Sequence, residues 1–135
     1  MEQIKKIFDE KGNCLAIVIR KNHFVEKTEF FSDPDYSQQV GIIKYSQNGK
    51  IKNHIHNQNT RYVFNTQEVL IIRKGLIKVN IFDSDLKFLE SIILEKDDII
   101  FLVSGGHGFD ILEDCEIFEV KQGPYTGVNN DKTHF

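Results

Sequence analysis

Apolar and polar residues alternate with a period of two along most of this chain, and no segment keeps the three-to-four spacing of an amphipathic helix. QIKKIF and NCLAIVIR read as two strands joined by the turn EKGN, where Gly12 supplies a permissive backbone. A short aromatic run, TEFF, ends at the turn SDPD, in which Pro34 fixes its own φ. QVGIIKYS comes next, then QNGK, whose Asn48-Gly49 pair is the strongest hairpin signal in the chain and predicts IKNHIHN as the return strand. QEVLIIR is expected to turn at Lys74-Gly75 into LIKVNIF, and DSDL leads to KFLESIIL. EKDD leads to IIFLV, and GGHGFDIL is expected to turn at Glu113-Asp114 into CEIFEVKQG. Short apolar runs separated by polar turns in this way describe a sandwich or barrel of antiparallel strands. The tail from Gly123, GPYTGVNNDKTHF, loses the alternation and reads as an extended arm over the surface or over a partner subunit.

Alternation also assigns faces. If Glu68 looks inward, Leu70 and Ile72 do too, while Val69, Ile71 and Arg73 look out. Apolar residues then lie on both faces, so a second sheet or a subunit is expected over the outer one. The last strand has two registers. In one, Cys115, Ile117, Glu119 and Lys121 face inward and the two charges line a cavity; in the other, Phe118 and Val120 do, and the charges are surface groups. The surface register is taken as the default.

A length of 135 residues fits a single domain, with first strands over 1–46, a barrel core over about 40–121 and an arm over 122–135. Apolar residues make up 40% and charged residues 27%, as in a soluble globular protein. The net charge of -3 and the dispersed basic residues argue against nucleic acid as a partner. No run approaches the roughly 18 apolar residues of a membrane helix. MEQIKKIFDEKG is too charged for a signal peptide, so a cytoplasmic location is expected. Cys14 and Cys115 lie far apart in no metal-type spacing and read as reduced, partly buried thiols.

Candidate chemistry concentrates in NHIHNQNTRYVFNTQEVLIIRKG. On a strand, His54 and His56 would share a face, which is half of a metal site; Glu68 and His107 lie where antiparallel neighbours bring further ligands. Arg61 and Tyr62 are equally well a clamp for an anionic group or the solvated side chains of a turn. His23 and His134 are expected in solvent. Gly105, Gly106 and Gly108 around His107 read as a tight turn, not a phosphate loop, since no helix N-terminus follows.

This part of the chain resembles the cupin superfamily. Gly49, His54, His56, Glu68 and Gly75 match the first cupin motif, with six residues between Glu68 and Gly75; Asp98 and His107 match the second. The resemblance spans about residues 40–121. It departs from the family in the eleven residues between His56 and Glu68, a longer gap than usual, and in Asp97-Asp98 where cupins carry Gly-Asp and a proline. RYVFNTQEVL, SGGHGF, EVKQGPYTG and DKTHF are similar to small single-domain cupins of bacterial surface-polysaccharide and nucleotide-sugar gene clusters.

The resemblance implies an all-β, jelly-roll-like double-stranded β-helix. It also implies a divalent transition metal (iron, manganese, nickel or zinc) on His54, His56, Glu68 and His107. The substrate would be a small sugar-derived molecule of surface-polysaccharide metabolism, with Arg61, Tyr62, Glu119 and Lys121 as candidate contacts, and the assembly a homodimer. Two alternatives use the same inward-facing residues. One is a binding or sensing module without turnover; the other is a metal-free sugar-nucleotide isomerase or epimerase working by histidine acid–base chemistry. Metal binding needs neutral imidazoles, so affinity is expected to fall as pH drops through about 6.5.

Overall fold

A computed structural model describes residues 2–135, almost all of whose regular structure is antiparallel strand. The elements are β1 (Ile4–Phe8), β2 (Cys14–Ile19), β3 (Glu29–Phe30), β4 (Gly41–Ile42), β5 (Glu68–Phe82), β6 (Phe88–Glu95), β7 (Ile99–Leu102) and β8 (Gly106–Lys121). One helical turn, α1 (Val128–Asp131), lies in the tail. The elements fall into two compact units. One joins the chain up to His23 to Thr66–Phe135; the other is Phe24–Asn65.

The first unit is a curled sheet of order β1-β2-β7-β5-β6, with β8 also pairing β5. β1 and β2 pair as QIKKIF and NCLAIVIR predict. The inner face holds the core: Ala16, Val18, Leu70, Ile72, Ile77, Val79, Ile81, Ile92, Leu94, Ile100 and Leu102 form one buried cluster. Glu68, Leu70 and Ile72 do look inward, and Ile17, Ile19 and Phe101 are buried on the other face, outside that cluster.

Neither expected turn at Lys74-Gly75 nor at Glu113-Asp114 breaks the chain. β5 and β8 run through both positions as strands of 15 and 16 residues. The turn chemistry instead makes a bend. Buried positions on β5 are even-numbered at Glu68, Leu70 and Ile72, then odd-numbered at Ile77, Val79 and Ile81. A regular strand cannot change parity, so extra residues must bulge out, and the β5–β8 register shifts between Ile72 and Ile77. Gly75 sits at the bulge with φ 92°, where a Cβ would run into the Asp114 carbonyl and the Cys115 Cα. The two signals are the two sides of one corner.

The ends of this unit's sheet are tied across by side chains. Lys5 Nζ meets Glu90 Oε2 at 2.7 Å between β1 and β6, and Arg20 Nη1 donates to the Ile93 carbonyl at 2.7 Å. Arg20 also holds Asp98, which is fully buried. The Asp98 carboxylate accepts from Arg20 Nη1 (3.1 Å), from the Lys21 amide (2.9 Å) and from the Glu95 amide (2.9 Å). Asp97, at φ 71°, forms the preceding turn, its amide donating to the Ile72 carbonyl at 2.7 Å. The acidic turn of the second motif is therefore a clasp between β2, β6 and β7.

The second unit carries one short pair, β3 with β4, and buries Val25 and Phe31. Here the sequence expectation is corrected. The Asn48-Gly49 turn forms, with Asn48 at φ 70° and the Gly49 amide donating to the Ser46 carbonyl at 3.0 Å. No strand follows, however, and IKNHIHN is irregular and exposed, as is the whole of residues 50–66. The pattern of a strand is present, but a lone hairpin is not stable unless a face is buried, and Ile55 is 88% exposed.

Candidate functional site

The corner at Gly75 builds the site. Fourteen residues of extended strand, from Glu68 to Ile81, would span roughly 40 Å. His107 pairs with Ile81 at one end of the ribbon and Glu68 with Lys121 at the other. Yet His107 Nε2 stands 3.4 Å from Glu68 Oε2. The curl brings the ribbon's ends together because β7, paired to Glu68 through Leu102, turns at Val103–Gly105 straight into β8. Gly105 makes that turn at φ 75°, packed so closely on the Phe82 carbonyl that no Cβ would fit, as the glycine cluster around His107 predicts.

Glu119 and Lys121 join this pair. Glu119 stands opposite Leu70 and Lys121 opposite Glu68, and directly opposed residues share a face. The facing taken as default is thus corrected: Cys115 and Ile117 pack on the core and the two charges follow them on the inner face, although Glu119 itself stays exposed and Lys121 is partly buried. Phe118 and Val120, the alternative inward pair, are exposed on the outer face. Sequence alone did not decide this because both faces of the strand carry apolar residues.

Their surroundings shift the carboxyls of Glu68 and Glu119 in opposite directions. Hydrogen bonding from His107 holds the Glu68 carboxyl below the usual range against the opposing effect of burial; the charge of His107, a hydrogen bond with Glu119 and the charge of Lys121 add to it. Burial and then the negative charge of Glu68 push Glu119 up. Lys121 is held above its ordinary value first by Asp131, 3.3 Å away, which ties the tail's helical turn to the edge of the site.

His54 and His56 lie in the Phe24–Asn65 unit. Their rings meet edge to face with centroids 5.4 Å apart, so they keep the common side expected of an HxH pair although no strand holds them. His54 Nδ1 lies 2.7 Å from the Lys52 carbonyl. A carbonyl only accepts, so that nitrogen carries a proton, and in the neutral ring the lone pair is then on Nε2. Arg61 and Tyr62 are exposed in the same unit. Among the described residues, no three His, Cys, Asp or Glu side chains gather closely enough to hold a metal. His134 is exposed as expected; His23 is not, since its Nε2 has no exposed surface. Cys14 and Cys115 are partly buried and not joined in a disulfide, as expected.

Beside His107 opens a cleft of about 480 Å³ that sequence reading did not anticipate. Phe82, Phe109 and Phe135 line it with Asn80, Asp110, Lys132 and His134. Phe135 closes one side by packing edge-on against Phe82, centroids 5.0 Å apart. A second cleft of similar size, between β1 and β6, is a weaker candidate because its cations are already paired: Lys5 with Glu90, Arg20 with Asp98 and Lys21 with Glu95. Comparison with known proteins finds no matching family model, no matching curated protein and no matching solved structure. No described helix is long and apolar enough to cross a membrane.

Proposed function

We propose that this protein is a metal-binding cupin that acts on a small, sugar-derived molecule. In this reading the curled sheet belongs to a jelly-roll-like double-stranded β-helix, and His107 and Glu68 are two ligands of a divalent transition metal, with His54 and His56 as the others. The observation that carries it is the separation of Glu68 and His107. At 3.4 Å it is long for a charge-assisted hydrogen bond, but two ligands each about 2.1 Å from a tetrahedral ion stand about 3.4 Å apart. The proton on His54 Nδ1 adds support, since it leaves Nε2 as the donor atom. A bound ion would act as a Lewis acid or activate a bound water. The Glu119 carboxyl and the Lys121 ammonium would then flank it on the inner face. The aromatic cleft beside His107 would take the body of the substrate.

The test is metal content after purification without chelators. About one transition metal per chain is expected in the wild type, with His107→Ala, Glu68→Gln and His56→Ala each losing it while keeping their circular dichroism. Affinity should drop on going from pH 8 to pH 5, as imidazoles protonate. A wild type that carries no metal and takes up none of iron, manganese, nickel or zinc would overturn the reading. The Glu68–His107 contact then favours its use as a carboxylate–imidazole dyad in metal-free acid–base chemistry on a sugar nucleotide, which chelators would leave untouched.

A further inference from the structure

Two features are each incomplete and complement one another. The first is β8. It has 16 residues, and among the described residues it pairs with β5 alone, so one long edge offers its backbone groups unpaired. Its inner face is also uncovered around Ile111. Ile111 stands opposite Ile77, which has no exposure at all, yet is itself 55% exposed. The strand is acidic, with Asp110, Glu113, Asp114, Glu116 and Glu119 against Lys121 as its only lysine or arginine; of these, Asp110 is already engaged by Lys78 at 3.4 Å and by Asn80 at 3.0 Å.

The second is the stretch from Ile43 to Asn65. As far as Ile55 its apolar residues, Ile43, Tyr45, Ile51 and Ile55, all fall on odd positions, as on one face of a strand; it has no strand partner, and it exposes Ile51, Ile55, Tyr62 and Phe64. From Tyr36 to Gln67 the chain contains no acidic residue, while Lys44, Lys50, Lys52 and Arg61 make it basic. The stretch is longer than the edge of β8. Pairing β8 with β8 of another copy would set acid against acid, which disfavours that arrangement. A basic strand against an acidic edge has the opposite sign.

We propose that the stretch around Lys50–Asn57 of one copy adds as a strand to the free edge of β8 in a second copy, and reciprocally, so that each copy lends His54 and His56 to the other's Glu68–His107 pair. The destination of the histidines rests on the metal reading above; the exchange itself rests on edge, pattern and charge. It is a closed two-fold arrangement, in which each copy gives one strand and receives one.

Light scattering on the full chain tests the exchange without reference to metal. The wild type is expected to be a dimer. Lys50→Glu with Lys52→Glu should weaken dimerisation at least tenfold, and adding Glu113→Lys with Glu116→Lys should restore it. A monomeric wild type, or a dimer indifferent to both charge changes, overturns the exchange. Complementation tests the shared site. Chains carrying His56→Ala and His107→Ala, separately tagged and co-expressed, are expected to give a heterodimer with about one metal, while neither homodimer holds any. A wild type that binds metal and a heterodimer that binds none would show that each chain uses its own histidines, and would overturn the exchange. A wild type without metal would overturn the metal reading instead, and the charge changes would then decide the exchange by themselves.

Discussion

The β5–β8 ribbon and the first part of the stretch from Ile43 to Asn65 both set their apolar residues on alternate positions, and only the ribbon is strand. The difference lies in what surrounds them. On the ribbon, alternate residues enter a core in which Ile72, Ile77, Val79 and Leu94 have no exposure. In the stretch, Ile55 and Phe64 lie almost wholly in solvent, at 88% and 92%. Period two is thus a statement about what a segment can bury, and it becomes a strand only where a partner edge and a core accept it. The two regions also divide the candidate chemistry. The ribbon holds Glu68, His107, Glu119 and Lys121 in fixed relation, while His54 and His56 sit on backbone with no ladder.

The sharpest way to break the comparison is to loosen the ribbon's frame. Asp98 is buried, with its carboxylate engaged by Arg20 and by the amides of Lys21 and Glu95. Asp98→Ala leaves the half-buried Arg20 guanidinium without its carboxylate and orphans two amides, and breaking a buried pair in this way costs about 3–5 kcal/mol. Urea unfolding should show a lower midpoint at unchanged slope. A loss under about 1 kcal/mol would mean that the clasp does not hold β2 to the β6–β7 turn.

Gly75→Val attacks the corner itself. The left-handed backbone alone costs a β-branched residue about 1–3 kcal/mol, and the side chain must also displace the Asp114 carbonyl. The substitution should lower stability by about 3 kcal/mol. It should also separate Glu68 from His107, because their approach depends on the bend. Metal affinity in the surviving folded fraction is therefore expected to fall as well. Normal affinity at reduced stability would mean that the corner serves the fold and not the site.

Much of the frame was legible. Glycine turns, apolar runs and alternation place β1, β2, β6 and β7, and they put Glu68 with Leu70 and Ile72 on the inner face. Lys74-Gly75 and Glu113-Asp114 misled for a physical reason: the residues that allow a tight turn also allow a bulge. Only the partner strand tells the two apart, here through the change of parity along β5. The facing of Glu119 and Lys121 was open for a related reason, since register is weakly specified where both faces are apolar. The Glu68–His107 pair was foreseen as chemistry and not as geometry, because a contact between residues 39 positions apart depends on where the corner lies. The cleft beside His107 was not foreseen at all, since Phe135 reaches it from a tail with no periodic signal.

The smallest expected effect falls on the other side of the comparison. Ile55→Ser and Phe64→Ser remove large apolar side chains that the isolated chain leaves in water. At concentrations where the protein is monomeric, each should change unfolding stability by less than about 0.5 kcal/mol, the range of an ordinary surface substitution. Strand exchange between copies adds a second expectation, because a residue buried only in the dimer acts through mass action. Repeated at rising protein concentration, the Ile55→Ser experiment should show a growing deficit relative to wild type as the wild type gains stability from association. A deficit that stays flat and small would leave the stretch as surface. One that is large even at the lowest concentration would mean that Ile55 is packed within its own chain, and the contrast with the ribbon would fail.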